Sequence, residues 1–234
     1  MKKSIGILGG MGPLATADLF CKLVRLTDAA CDNDHIRVYI DDNASIPDRT
    51  AAILSGGPDP MPAMTESLRK LESCGAGCII MPCNTAHYFL PRLQALTKVS
   101  FLSMLEATAK ACRVQFPGKT AAVLATRGTL AAGLYQDALA AEQVPFLIPG
   151  VQEQDALMRV IYDGVKAGAV PDAYRADMTA VMSRLSAQGA DYLILGCTEL
   201  PLAYQALNLS IPAIDPTAEL AKAAIRFSGY QVKQ

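Results

Sequence analysis

Short apolar segments alternate with longer amphipathic segments along the whole chain. The short segments are rich in Ile, Val and Leu, as in parallel strands, and the longer ones space their apolar residues as helices do. This order predicts an α/β fold with right-handed crossovers, in which ligands bind where strands end and helices begin. The predicted strands cover residues 4–8, 37–41, 77–81, 101–103, 120–125, 145–147, 192–195 and 211–214. The predicted helices cover residues 14–26, 64–74, 105–114, 130–141, 154–167, 174–188 and 217–227.

Three blocks of the first half recur in the same order in the second half. KSIGILGGMGPL matches KTAAVLATRGTL, LESCGAGCIIMPCNT matches LSAQGADYLILGCTE, and FLSMLEATAKA resembles IPAIDPTAELAKA. By residue number, the pairs are 3–14 with 119–130, 71–85 with 185–199, and 101–111 with 211–223. Their shared order and spacing predict a duplication, with two similar halves related by a pseudo-twofold axis and matching loops that face one cleft.

The composition is that of a soluble globular protein. Of 234 residues, 51% are apolar and 18% charged, and the mean hydropathy is +0.24, yet no apolar run approaches the ~20 residues that span a bilayer. The 21 basic and 22 acidic residues are mixed along the chain, which argues against nucleic-acid binding. The first residues, MKKSIGILGGMGP, reach glycines before they form the apolar core of a signal peptide, so we expect a cytoplasmic protein.

Two cysteines occupy matched positions in the repeat. Cys83 follows the predicted strand at 77–81 and Cys197 follows the one at 192–195. The seven cysteines are odd in number and lack a CxxC pair, which argues against a zinc site, a redox motif or a disulfide framework. Buried structural thiols are the plain alternative, since unpaired cysteine is among the most buried residue types. The matched positions favour two thiols that oppose one another across a bound molecule.

Two opposed thiols suit a reaction that inverts a carbon centre. One thiolate removes a proton from a carbon beside a carboxylate, and a neutral thiol returns a proton on the other face. A cysteine pKa near ~8.5 suits both roles, and strand-to-helix turns supply N–H groups that hold an anion. No lysine motif for pyridoxal phosphate stands out, and two histidines, His35 and His87, are too few for a metal site. We therefore predict a reaction without cofactor or metal, and expect His87 to be a hydrogen-bonding loop residue.

The sequence GGMGP after the first strand has a rival interpretation as a dinucleotide-binding loop. Its spacing differs from G-x-G-x-x-G, and Asp41, the acidic residue that ends the second strand, lies too far along the chain. The glycines favour instead a close approach of the backbone to a small substrate, with Pro13 at the start of the helix.

Four motifs together resemble a known family. ILGGMGPLAT, IPDRT, MPCNTAH and GCTELPL occur in the order found in the aspartate/glutamate racemase superfamily, in its aspartate racemase branch, and the likeness runs from Ile5 to Thr217. It implies two Rossmann-like α/β domains, each with a mainly parallel four-stranded sheet, an active site in the cleft between them, and a homodimer. We place the first domain at 1–104 plus 214–234 and the second at 105–213.

The resemblance also implies a cofactor-independent, metal-independent racemisation of L- and D-aspartate, with glutamate as a second candidate substrate. By this resemblance, Cys83 and Cys197 correspond to the family's pair of one thiolate and one thiol. Glutamate racemases have a histidine after the second Cys-Thr, whereas this chain has Glu199, which favours aspartate. The positions that match substrate-binding residues are Met11, Asn84, Thr85, Thr126 and Thr198 around the pocket, and Arg49, Tyr162 and Lys166 for the side-chain carboxylate.

Bland interpretations and other functions stay open at this point. Arg49 after Pro-Asp is also typical of an exposed turn, and Lys166 before Ala-Gly is typical of a helix end. The alternative functions are an isomerase or decarboxylase of dicarboxylic acids (like the maleate isomerases and arylmalonate decarboxylases), a broad-specificity amino-acid racemase, and a non-catalytic ligand-binding protein. Retention of both cysteines favours racemisation over decarboxylation.

Overall fold

The computed structural model describes residues 2–233, and these fall into two compact units. Unit 1 comprises residues 2–107 and 217–233, and unit 2 comprises Thr108–Pro216. Each unit is built on one four-stranded sheet in which every pair of neighbouring strands is parallel. The predicted α/β class with two parallel four-stranded sheets is confirmed.

Strands and helices alternate along the described chain. The strands are β1 (Ile5–Leu8), β2 (Val38–Asp41), β3 (Cys78–Ile80), β4 (Ser100–Phe101), β5 (Ala121–Ala125), β6 (Phe146–Leu147), β7 (Tyr192–Gly196) and β8 (Ala213–Ile214). The α-helices are α1 (Pro13–Leu26), α2 (Arg49–Leu54), α3 (Met61–Ser73), α4 (Leu90–Gln94), α5 (Met104–Gln115), α6 (Arg127–Ala131), α7 (Leu134–Ala141), α8 (Val151–Met158), α9 (Asp172–Ala187), α10 (Leu200–Ala206) and α11 (Pro216–Phe227). Asp32–Asp34 and Thr85–Phe89 form 3₁₀-helices, and Arg159–Lys166 forms a π-helix.

In unit 1 the strand order is β2-β1-β3-β4, and both faces of the sheet are covered. Ile5 of β1 packs with Leu19 of α1 and Ile225 of α11 on one face. Leu8 of β1 packs with Leu68 of α3 on the other. The two central strands are therefore apolar throughout, as IGIL and CII, because a strand covered on both sides has no polar face.

In unit 2 the strand order is β6-β5-β7-β8. The central strands read AAVLA and YLILG and are fully buried. Leu124 and Leu193 pack in one cluster with Leu157 of α8 and Met178 of α9. In register, Ala125 at the end of β5 lies beside Gly196 at the end of β7, so the residues that follow these strands emerge at one edge.

Two predicted helices are wrong in their continuity. The predicted helix at 130–141 is interrupted by Gly133, whose φ of 68° lies in the left-handed region and ends one helix before α7 begins. The predicted helix at 154–167 is α-helical only to Met158 and continues as the π-helix. Hydrophobic spacing does not separate these cases, because the apolar face runs through both.

Several short helices that follow strands along the chain were not predicted. They include α2, α4 and α10, each of seven residues or fewer, which is too short to give a periodic pattern. Within residues 2–233, no helix combines the length and the apolar character that a membrane span requires.

Candidate active site

Cys83 lies in a tight turn after β3. Its N–H donates to the carbonyl of Met81 at 2.9 Å, and Pro82 between them has the fixed φ that such a three-residue turn uses. The 3₁₀-helix of Thr85–Phe89 follows directly. Cys83, Asn84 and Thr85 are all buried, with at most 6% of each exposed. The turn thus holds the thiol and two polar residues at the carboxyl end of a central strand.

His87 ties this turn to the following part of unit 1. Its Nδ1 lies 2.9 Å from the carbonyl oxygen of Cys83, and its Nε2 accepts the N–H of Met104 at 3.0 Å. Burial lowers the pKa of His87 to about 4, and hydrogen bonds to the carbonyls of Cys83 and Asn84 oppose that shift only in part. The imidazole is therefore neutral at physiological pH.

The glycines after β1 allow close packing of the first loop. Gly10 has a φ of +85°, and a Cβ there would lie 2.2 Å from the backbone carbon of Asn43. Its N–H donates to the hydroxyl of Thr16 in α1 at 3.0 Å. The loop brings Met11 into the same buried apolar cluster as Cys83. Gly10 therefore allows two backbone segments to pack closely, and the approach of this loop to a small substrate stays a prediction.

Arg49 is a buried cation held by backbone carbonyls. Its Nη1 donates to the carbonyls of Ile46 (3.0 Å) and Pro47 (2.9 Å), and its Nη2 donates to that of Met11 (3.1 Å). The residue is 7% exposed and its Nε is buried without a hydrogen-bond partner. Among residues 2–233 no carboxylate forms an ion pair with this guanidinium. It is not the exposed turn residue of the bland interpretation, and its charge lacks the anion that usually accompanies a buried arginine.

Cys197 follows β7 and lies in a turn of different construction. Its carbonyl accepts the N–H of Leu200 at 2.9 Å, which starts α10. The preceding Gly196 leaves room for a buried phenol, because a Cβ there would lie 2.7 Å from the Tyr135 ring. Cys197 is 7% exposed. The local sequence GCTE therefore puts a glycine against the Tyr135 ring directly before the thiol.

Glu199 is the centre of a polar cluster around this second thiol. One of its carboxylate oxygens accepts from Cys197 Sγ at 2.9 Å and from the Thr198 hydroxyl at 3.2 Å. The other lies 3.8 Å from Nζ of Lys166. Glu199 is 6% exposed, so these groups interact with little water between them.

The surroundings of Cys197 favour its neutral thiol. Burial and then the negative charge of Glu199 raise the pKa of Cys197 well above its ordinary value, and the positive charge of Lys166 opposes them. In this arrangement the neutral Cys197 thiol donates a hydrogen bond to the Glu199 carboxylate.

The π-helix carries Tyr162 and Lys166. Nζ of Lys166 lies 4.6 Å from the centre of the Tyr162 ring, within the range of a cation–π contact. π-helical segments often occur at functional sites. Here the segment directs Lys166 to Glu199, so Lys166 is more than a solvated helix end.

Thr126 lies at the carboxyl ends of the strands in unit 2 and is 3% exposed. It follows β5, caps α6 and accepts the N–H of Thr129 at 3.2 Å. Because Ala125 pairs with Gly196, Thr126 and Cys197 are the first residues beyond two neighbouring strands.

The predicted site residues thus fall into two groups. Unit 1 contains Met11, Arg49, Cys83, Asn84 and Thr85, and unit 2 contains Thr126, Tyr162, Lys166, Cys197 and Thr198. The three residues predicted for one carboxylate site do not share a unit, since Arg49 lies in unit 1 and Tyr162 and Lys166 lie in unit 2.

Sequence reasoning used Glu199 only as a sign of substrate preference, with no contact to the thiol, and gave His87 only a minor role. The signal for Glu199 was its place directly after the second Cys-Thr pair. The signal for His87 was its helical spacing of four from Cys83. Within the part of the chain that the structure describes, no group of three or more His, Cys, Asp or Glu side chains is placed to hold a metal ion.

Comparison with known proteins defines the class. The family model described as Asp/Glu/Hydantoin racemase matches residues 8–224. The chain resembles the aspartate racemase of Picrophilus torridus, with 33% identity, a TM-score of 0.87, and coverage of 99% of this chain and 96% of that one. It is 29% identical to the broad specificity amino-acid racemase RacX of Bacillus subtilis over 94% of this chain and 96% of that protein.

A glutamate racemase from Francisella tularensis, solved with D-glutamate, shares the fold at a TM-score of 0.66 and 19% identity, covering 97% of this chain and 80% of that one. The chain belongs to the Asp/Glu/hydantoin racemase family and is an amino-acid racemase enzyme.

Proposed function

We propose that the protein racemises aspartate without a cofactor, with Cys83 and Cys197 as its two acid–base groups. The observation that carries this proposal is the matched placement of two buried thiols, each within three residues of the carboxyl end of a central strand of a parallel sheet. The likeness to an aspartate racemase at 33% identity supports aspartate as the substrate.

The reaction is a pair of proton transfers. In one direction the Cys83 thiolate takes the Cα proton, and the C–H electron pair passes into the α-carboxylate as an enediolate. The Cys197 thiol then gives its proton to the opposite face and becomes a thiolate. In the other direction the two thiols exchange roles, so atoms and charge balance without an oxidant or a metal.

Glu199 supports the second thiol in this scheme. For Cys197 to act as the base from this starting form, its proton passes to the carboxylate at 2.9 Å and the Cys83 thiolate takes a proton from solvent, so that Cys83 can serve as the donor. Proton transfer to Glu199 leaves a neutral carboxyl beside the new thiolate and removes the repulsion between two anions.

Arg49 supplies the charge that selects a dicarboxylate. A buried guanidinium without a carboxylate partner gains an anion when a substrate side chain binds, and a planar guanidinium suits a carboxylate. Lys166 adds positive charge in unit 2 but already faces Glu199 at 3.8 Å, so Arg49 is the stronger candidate. The likeness to a broad specificity racemase makes wider substrate use the second candidate function.

The test is incubation of the purified, metal-free protein with L-aspartate in D2O, without added cofactor. We expect D-aspartate that carries deuterium at Cα. Maleate, alanine and glutamate are run in parallel, because fumarate from maleate indicates an isomerase and equal rates on all amino acids indicate broad specificity. Binding of aspartate without isotope exchange would refute the enzymatic proposal.

Cys83→Ser and Cys197→Ser separate the two roles. We expect each variant to lose racemisation by about 10³-fold or more, since each removes one of two acid–base groups. Residual exchange of the Cα proton should persist with one enantiomer only, and with the opposite enantiomer in the other variant. Cys21→Ser, at an exposed cysteine in α1, is the control and should keep full activity. Full racemisation by either test variant would contradict the two-base assignment.

We also propose a homodimer, on the resemblance alone. Light scattering after gel filtration tests the assembly, and a monomer mass near 24.8 kDa would contradict it.

A further inference from the structure

His87 connects the turn of Cys83 to the start of α5 through two backbone groups. It is 4% exposed, and both of its ring nitrogens are engaged, with the Cys83 carbonyl and with the Met104 N–H. The scheme proposed above uses the Cys83 thiol but gives this buried imidazole no part.

The two contacts define one protonation state of the ring. A backbone N–H is only a donor, so Nε2 facing Met104 must carry a lone pair. Nδ1 must then carry the proton in the neutral ring, and it donates to the Cys83 carbonyl. A ring with the proton on Nε2, or with protons on both nitrogens, would lose the bond from Met104.

The bond to Cys83 replaces a contact that the matching turn makes with backbone. In unit 2 the Cys197 carbonyl accepts the N–H of Leu200. In unit 1 the Cys83 carbonyl accepts from a side chain four residues on. In the trans peptide that follows, the C=O and N–H point in opposite directions, so the His87 bond sets the peptide plane of Cys83 and turns the Asn84 N–H away from the imidazole.

We propose that His87, as the neutral ring protonated on Nδ1, is a positioning residue that fixes the direction of the Cys83 thiol. The imidazole takes no proton from substrate and acts through the backbone of the Cys83 turn, chiefly through the Cys83 carbonyl. This inference rests on the proposed role of Cys83 as an acid–base group.

Two amide variants of His87 each keep one of the two hydrogen bonds that the imidazole ring makes. In His87→Asn the amide nitrogen takes the place of Nδ1 and keeps the bond to Cys83, whereas the bond from Met104 is lost. In His87→Gln the amide oxygen takes the place of Nε2 and keeps the bond from Met104, whereas the bond to Cys83 is lost. Each loses one of two bonds, so we expect similar urea midpoints.

The expected kinetics differ between these variants. We expect His87→Gln to lower kcat by about 10²-fold with little change in KM, since a misplaced reacting group costs about that much. His87→Asn should stay within about 3-fold of wild type, which is far less than that loss. Equal losses in the two variants, or a larger loss in His87→Asn, would overturn the proposal. His35→Gln is the control and should leave kcat unchanged.

Two measurements need no turnover and separate this inference from the proposed function. The imidazole ¹⁵N spectrum, assigned with His35→Gln, should show His87 with a proton on Nδ1 only, and a proton on Nε2 would overturn the proposal. Alkylation of Cys83 by iodoacetamide, followed by peptide mass spectrometry, should change in rate in His87→Gln but not in His87→Asn. Unchanged rates in both variants would also overturn it, even if wild type racemises aspartate.

Discussion

The two cysteine turns share a position after a central strand but differ in what surrounds the thiol. At Cys83 the neighbouring side chain is a neutral imidazole that contacts the backbone. At Cys197 it is a carboxylate that contacts the sulfur itself. Matching places after a strand therefore do not give the same surroundings. At Cys197, burial and the charge of Glu199 favour the protonated thiol.

Among single substitutions of residues other than the two cysteines, Glu199→Gln should have the largest effect, and it tests this difference between the two turns. We expect kcat/KM to fall by about 10²-fold, because Cys197 loses its proton acceptor. The loss must be equal in both directions, since the equilibrium constant between enantiomers is 1. The variant should also lower the pKa of Cys197, because a source of negative charge is gone, and the pH profile of Cys197 alkylation should move downward.

Glu66→Gln is the matched control, because Glu66 is an exposed residue of α3 paired with Lys70. It should change neither the kinetics nor the alkylation profile. Activity of Glu199→Gln within about 3-fold of wild type, well short of the loss of a general acid–base group, would show that the carboxylate does not serve the thiol.

Arg49→Lys tests the buried cation of unit 1, which has no carboxylate partner among residues 2–233. Lysine keeps the charge but cannot bond three carbonyls and a substrate in one plane. We expect kcat/KM for aspartate to fall by about 30-fold, with a much smaller loss for alanine. Arg25→Lys, at an exposed position in α1, should have no effect. Equal losses for aspartate and alanine would remove Arg49 from side-chain recognition.

The pH dependence of stability tests the neutral state of His87. In the unfolded chain a histidine titrates near ~6.5, whereas the pKa in the folded protein is about 4. The stabilisation is therefore fully present above pH 6.5 and is lost as the pH falls toward 4, by up to about 3 kcal/mol. Urea unfolding at pH 7 and pH 4.5 measures it. The pH 7 to 4.5 difference should shrink in His87→Gln, and an unchanged difference would contradict the assignment.

Gly196→Ala gives the smallest expected effect and tests the packing of Gly196 against Tyr135. The new Cβ would lie 2.7 Å from the Tyr135 ring and 3.0 Å from the Leu124 carbonyl, so we expect a loss of about 2 kcal/mol of unfolding free energy. Gly12→Ala is the control, because a Cβ there meets nothing within 4 Å. Equal urea midpoints for Gly196→Ala and Gly12→Ala would show that the Tyr135 ring moves aside without loss of unfolding free energy.

The sequence was sufficient for the sheets and for the places of the thiols. Buried strands such as YLILG have a composition that few other elements share, and their polar successors mark the strand ends. It was not sufficient for the contact of Glu199 with Cys197, because a carboxylate two residues from a cysteine has several rotamers and the sequence does not select among them. Nor did it predict the partners of Arg49, because these are backbone carbonyls that leave no pattern in the chain.

The π-helix at Arg159–Lys166 makes the length of this segment matter as much as its composition. Its hydrogen bonds close over one more residue than those of an α-helix. Deleting a single residue from the segment would let it rewind as an α-helix, because the wider π turn holds one residue more than an α turn. The residues on either side would keep their places, so among homologous chains a gap here marks the loss of the wider turn that carries Tyr162 and Lys166.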